Sequence, residues 1–210
     1  MFIETLSSNP RYFLSVVITV VLSVCLHELA HGIVAIWYGD RTPIETGHMT
    51  LNPIVHMGPM SLLLLALAGI AWGQMPVNPR RMHGRHAAAV VALAGPASNL
   101  LLALLALLSL GLWQRFSNGP TSNLDDNIRL FLLVFGGVNV TLAIFNCIPI
   151  PPLDGSRFLA HYSPGYVRLM VNMRQQIGIA FLLLFIFAGK YISLAGFSAA
   201  VWFLHTVRGW

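Results

Sequence analysis

Charge is scarce in this chain: only 9% of its 210 residues are Asp, Glu, Lys or Arg, and a single one is lysine. An ordinary soluble domain carries nearer a quarter, so a water-exposed globule is excluded. Two cysteines, Cys25 and Cys147, give no spacing for a disulfide framework and read as buried free thiols in apolar stretches. No internal repeat, no low-complexity linker and no basic region ahead of the first apolar run is present, so that run is expected to be a retained span and not a cleaved signal. What is abundant is apolar sequence, at 56% of the chain. The net charge of +5 then sets membrane orientation, and no nucleic-acid partner is expected.

Four stretches are long enough to cross a hydrocarbon core, Tyr12–Trp37, Ala87–Trp113, Ile128–Ile148 and Ile177–Val207. The last is interrupted by Gly189-Lys190, which leaves open one tilted helix or two pieces. Met60–Trp72 is only 13 residues long and suits a re-entrant segment. The glycines and prolines of residues 39–59 predict turns and short extended pieces ahead of it. The expected fold is all-α and polytopic, with four to six hydrophobic segments, three core helices, and a re-entrant or short extended element between the first two. It forms one domain over 1–210, with no room for a PDZ-like module.

The first span contains His27-Glu28-Leu29-Ala30-His31, and its only other titratable residues are Tyr12 and Cys25. Ionisable groups in a membrane span are expensive and are functional by default. Histidines four apart share one helix face, so His27 and His31 can offer nitrogens to one zinc. Glu28, about 100° around, can then hold a water and take its proton. A second cluster follows the third long span: Pro149-Ile150-Pro151-Pro152-Leu153-Asp154-Gly155. Its prolines must end a helix. Asp154 is there either a third ligand, completing the two-histidine, one-carboxylate set of an open catalytic zinc site, or the cap of an interhelical turn.

Taken together, His27/Glu28/His31 and the Asn146…Pro149…Leu153-Asp154-Gly155 segment resemble the site-2 protease family of intramembrane zinc metalloproteases. Leu51-Asn52-Pro53 with His56, Pro76-Val77-Asn78-Pro79 and Ala94-Gly95-Pro96-Ala97-Ser98-Asn99 match a compact bacterial or archaeal branch, and the likeness runs roughly from Leu26 to Phe158. The resemblance implies one Zn2+ held by His27, His31 and Asp154, Glu28 as general base, and a substrate- or intermediate-stabilising Asn146. It also implies membrane protein substrates within the lipid bilayer, as in regulated intramembrane proteolysis.

The competing reading is a metal-ion or proton transporter with a midplane His/Glu/Asp site, although no inverted repeat supports it. Asn139 reads as an interhelical hydrogen-bonder, while Asn99 is divided evenly between that role and the site. His48, His56, His83, His86, His161 and His205 read as loop or interfacial residues, with His56 the candidate neighbour of the site.

Topology follows from geometry. The zinc ligands lie toward the C-terminal end of the first span and just past the end of the third, so those two spans run in the same direction. Their shared side receives Arg41, Arg80, Arg81, Arg85, Arg157, Arg168 and Arg174, against Arg11, Arg115 and Arg129 opposite. By the positive-inside rule the site is expected to open toward the cytoplasm of a prokaryotic cell.

Overall fold

The computed structural model describes residues 2–116 and 122–208, without the side chains of Arg174, Gln175 and Arg208. Arg174, one of the arginines assigned above to the zinc side, thus has only its backbone described. Among the described residues the chain is helical with no strand. Helix α1 is Pro10–Trp37, α2 Pro53–Ala68, α3 Ala87–Phe116 and α4 Asn123–Asn146. Then follow α5 (Asp154–Tyr162), α6 (Pro164–Asn172), α7 (Arg174–Leu183) and α8 (Gly189–Arg208).

Four segments are long and apolar enough to cross a membrane: α1, α3, α4 and Gln176–Val207. The last is one continuous helical run, since α7 passes into α8 through a π-helical turn, Leu184–Ala188, and not through a break at Gly189-Lys190. Local chemistry sets the starts. Asn9 caps α1 by accepting from the Tyr12 amide, with Pro10 in the first turn, and Ser122 caps α4 by accepting from Asp125.

The expectation for residues 39–72 needs correction. Helix begins at Pro53, seven residues before the apolar run, because Asn52 accepts from the Ile54 amide and Pro53 is preorganised for a first helical position. Thr42–Glu45 also forms a single helical turn. The Gly58-Pro59 pair kinks α2 without ending it: Gly58 takes φ 71°, open chiefly to glycine, just where Pro59 cannot donate. The helix stops at Gly69, and the chain then runs back along it without helical structure. Ser61 Oγ donates to the Trp72 carbonyl and accepts from the Trp72 amide, and the Gln74 amide donates to the His56 carbonyl (3.0 Å). This returning segment, 70–78, is a non-helical stretch between the first two core helices.

Two hydrogen bonds fix helix directions. His31 in the last third of α1 reaches the Val91 carbonyl in the first turns of α3, so these two helices are antiparallel. At the far end the Trp113 indole of α3 donates to Asp125 of α4, which also pairs with Arg129 (2.6 Å). Hence α1 and α4 run in the same direction, as the motif geometry requires. Close crossings rely on missing side chains: a Cβ at Gly136 would meet Leu107 at 2.5 Å, and one at Gly137 would meet Phe197 at 2.7 Å. Small residues serve this purpose in membrane bundles, where burial supplies little drive between helices. One thiol departs from expectation: Cys25 is buried, but Cys147 is exposed, because it caps α4 where the proline turn leaves the bundle.

Candidate metal centre and cleft

Three polar atoms from two parts of the chain, α1 and the start of α5, converge beside α3. His27 Nε2 and His31 Nε2 are 3.1 Å apart, and Asp154 Oδ2 lies 3.0 Å from the first and 3.2 Å from the second. All three residues are buried. The other ring nitrogens show which atoms carry protons. His27 Nδ1 faces Asn99 Oδ1 and His31 Nδ1 faces the Val91 carbonyl, each at 2.6 Å. A backbone carbonyl only accepts, so His31 Nδ1 carries the hydrogen. Asn99 presents its oxygen to His27 because its nitrogen donates to Asn139 Oδ1 (2.8 Å), which gives His27 the same tautomer. In the neutral imidazoles, both Nε2 lone pairs then face a carboxylate oxygen with no proton among the three atoms.

Such a group of acceptors calls for a cation. Donor atoms sharing one tetrahedral ion at bonds of about 2.0–2.1 Å are about 3.3 Å apart, close to the separations here. The set of two nitrogens and one oxygen fits zinc with an open coordination position. Space for an ion comes from α3, since a Cβ on Gly95 would overlap the Nε2 atoms of both histidines. Pro96 cannot donate to the Ala92 carbonyl, the neighbour of the Val91 carbonyl that His31 uses.

Asp154 is the first residue of α5 and projects from the helix start toward the histidines, so the turn reading of Leu153-Asp154-Gly155 and the ligand reading are both compatible with its position. Gly155 lets that turn sit against α4, because a Cβ there would strike the Cys147 carbonyl. The Tyr166 hydroxyl of α6 donates to the Pro149 carbonyl (3.0 Å), tying the same turn from its other side.

A cleft of about 220 Å³ opens beside these atoms. Its lining includes the returning segment Ala71–Met75 together with Asn146, Leu153, Arg157 and Phe181. Glu28 is buried and lines the cleft, with its carboxylate against Gly73: a Cβ on Gly73 would lie 2.6 Å from Glu28 Oε1. Asn146 lines the same cleft. Its side-chain nitrogen donates to the Leu142 carbonyl (3.1 Å), which leaves one N–H for a ligand. His27, Glu28, His31, Asn146 and Asp154 are therefore brought together.

The remaining histidines do not all match the surface reading. His56 is 1% exposed in the first turn of α2; its Nε2 donates to the Thr50 carbonyl, its Nδ1 has no partner among the described residues, and it lies within electrostatic reach of Glu28. Asp40, which the sequence did not single out, is fully buried just past α1. It accepts from the Thr42 amide (3.0 Å) and hydroxyl (2.5 Å) and from the Asn78 amide (2.5 Å), so it ties the end of the returning segment to the end of α1. Burial alone would raise its carboxyl. The Thr42 side chain, the Asn78 and Thr42 amides and the Arg81 charge outweigh burial and hold it below the usual carboxylate range.

A polytopic helical bundle with a buried two-histidine, one-carboxylate group beside a glutamate defines a membrane protein with a candidate metal centre, suited to hydrolysis or to ion transport. Comparison with known proteins makes this specific. Residues 114–188 match the model of Peptidase family M50. The chain is 37% identical over 180 residues to a Bacillus subtilis protein provisionally named zinc metalloprotease YwhC, covering 84% of this chain and 82% of that one. It is 33% identical over 179 residues to a Mycolicibacterium smegmatis protein provisionally named zinc metalloprotease Rip2, covering 80% and 66% respectively. A protein of the same name from Mycobacterium tuberculosis strain H37Rv is 31% identical over 187 residues, covering 83% of this chain and 67% of its own. No solved structure matches. The chain belongs to peptidase family M50, the site-2 protease family, and is an integral membrane zinc metalloprotease. Membership decides between the hydrolytic and the transport readings in favour of hydrolysis.

Proposed function

We propose that this chain is a single intramembrane endopeptidase domain that hydrolyses peptide bonds in or near transmembrane segments of membrane proteins. The observation that carries the proposal is the cleft in which two bare imidazole nitrogens and a carboxylate oxygen adjoin Glu28 inside a membrane bundle. His27, His31 and Asp154 would hold the metal. Bound there, zinc supplies Lewis acidity that polarises a peptide carbonyl and lowers the pKa of a water to about 7. Glu28 takes the proton from the attacking water and delivers it to the leaving amine. Asn146 donates its remaining N–H to the substrate backbone or the developing oxyanion, a role typically worth about 10²–10³ in kcat.

The substrate has to be unwound, because a helical carbonyl is already hydrogen-bonded. The returning segment supports this requirement. The Trp72 and Gln74 amides are spent on α2, while those of Ala71, Gly73 and Met75 have no hydrogen bond among the described residues. Alternate amides of this segment thus remain for pairing with the backbone of an unwound substrate. The arginine imbalance between the two ends supports a site opening toward the cytoplasm of a bacterial or archaeal cell.

The test is co-reconstitution with single-span substrates, with and without Glu28→Gln. The variant should keep its zinc and lose cleavage, since an amide cannot accept the water's proton. Cleavage at the wild-type rate would remove Glu28 from the mechanism.

A further inference from the structure

A chain of hydrogen bonds starts at His27 and returns to its own helix after visiting two others. His27 Nδ1 donates to Asn99 Oδ1 on α3 (2.6 Å), and Asn99 Nδ2 donates to Asn139 Oδ1 on α4 (2.8 Å). Asn139 Nδ2 then donates to Ser23 Oγ on α1 (2.8 Å) and to the Phe135 carbonyl (2.9 Å). Ser23 lies one turn before His27 on the same helix. Asn99, Asn139 and Ser23 are all fully buried. Every donor and acceptor has one assignment, fixed by Asn139: its nitrogen must face the Phe135 carbonyl, so its oxygen faces Asn99, whose oxygen then faces His27.

We infer that Asn139 is a positioning residue for the zinc site, acting through Asn99 on His27 although it touches no ligand. The inference rests on the reading that His27 holds zinc. Groups behind a metal-bound imidazole fix its tautomer and ring angle, and their loss typically costs about 10–100-fold in metal affinity. Here the supporting group is itself oriented from α4, the helix that ends at Asn146 and leads into the Asp154 turn. The positions of α3 and α4 relative to α1 are thereby read out at the imidazole. Without Asn139 Oδ1 the Asn99 amide is free to flip, presenting NH2 to His27 Nδ1 and favouring the tautomer whose Nε2 carries hydrogen and cannot bind metal.

Zinc dissociation constants measured by chelator competition on the full-length protein test this. Asn99→Leu should weaken zinc binding about 10–100-fold and Asn139→Leu about 10-fold or more. The double variant should be no weaker than Asn99→Leu, since both changes break one chain. Asn139→Asp, which accepts from Asn99 with one oxygen and, as the neutral acid, donates to the Phe135 carbonyl with the other, should restore affinity to within a few-fold of wild type. Wild-type affinity in Asn139→Leu, or equal loss in Asn139→Leu and Asn139→Asp, would overturn the inference, the latter by showing that packing and not the acceptor matters. His27→Ala separates the two readings. If it keeps stoichiometric zinc, the metal assignment itself fails. If it loses zinc while Asn139→Leu does not, only the relay fails.

Discussion

Adding one methyl group to the cleft wall should damage the chemistry and leave the metal in place. Gly73 sits in the returning segment with its Cα facing Glu28, and a Cβ there would lie 2.6 Å from Glu28 Oε1, 2.9 Å from Glu28 Cγ and 2.6 Å from Val24 Cγ1. Ordinary contact begins near 3.4 Å, so the carboxylate and the methyl group must separate by about 0.8 Å. Val24 belongs to the core cluster with Met57 and Leu65, so the wall has little room to yield and the carboxylate takes most of the shift. A misplacement near 1 Å costs about 10²-fold, so Gly73→Ala should lower kcat roughly 10–100-fold, or about 1.4–2.7 kcal/mol. Zinc content should stay at one per chain, because no atom of His27, His31 or Asp154 is among the nearest neighbours of that Cβ. Gly95→Ala is the counterpart: its Cβ would occupy the space between the two Nε2 atoms, so it should lose zinc first and activity only as a result. The assay is cleavage rate per bound zinc for both variants. Full activity in Gly73→Ala, or loss of zinc from it, would refute the placement of Glu28 against that wall.

Two further outcomes are expected. The folded Asp40 carboxyl lies below its unfolded value of about 3.9, so its stabilising contribution is complete above that value and is lost as pH falls through the folded value. Asp40→Asn should therefore melt below wild type at pH 7, with the gap closing below about pH 4; a gap that widens on acidification would contradict this tie. For topology, single cysteines replacing Arg80 and Asn123 in a Cys147→Ser background should be labelled from opposite faces of the membrane, Arg80 from the cytoplasm. Labelling of both from one face would refute the arrangement of spans.

The sequence displayed the parts of the site that obey a simple period or break one. His27 and His31 were legible because four residues make a helical face; the prolines left Asp154 open between ligand and helix cap, and only the resemblance to the site-2 protease family implied a ligand. The relay was not legible. An asparagine that joins helices and one that orients a ligand have the same sequence signature, so Asn139 read only as an interhelical hydrogen-bonder, which it is, and its link to His27 depends on a distance. Gly73 and Asp40 carried no signal at all: each matters through what lies across from it, 45 and 38 residues away in the chain. The start of α2 was signalled by Asn52-Pro53 but masked by Gly58-Pro59, whose usual effect is to stop a helix and here is only to bend it.

The distances along the chain between interacting groups also set an order of events. His27 leaves the ribosome 72 residues before Asn99 and 127 before Asp154. At synthesis rates of about 5–20 residues per second, the last of these partners arrives some 6–25 s after the histidine. For that interval the first helix holds a glutamate and two histidines in or near lipid with neither the carboxylate nor the asparagine that later engage them. A chain still being made therefore lacks Asp154 beside His27 and His31, and the group of three is complete only once the segment after α4 arrives.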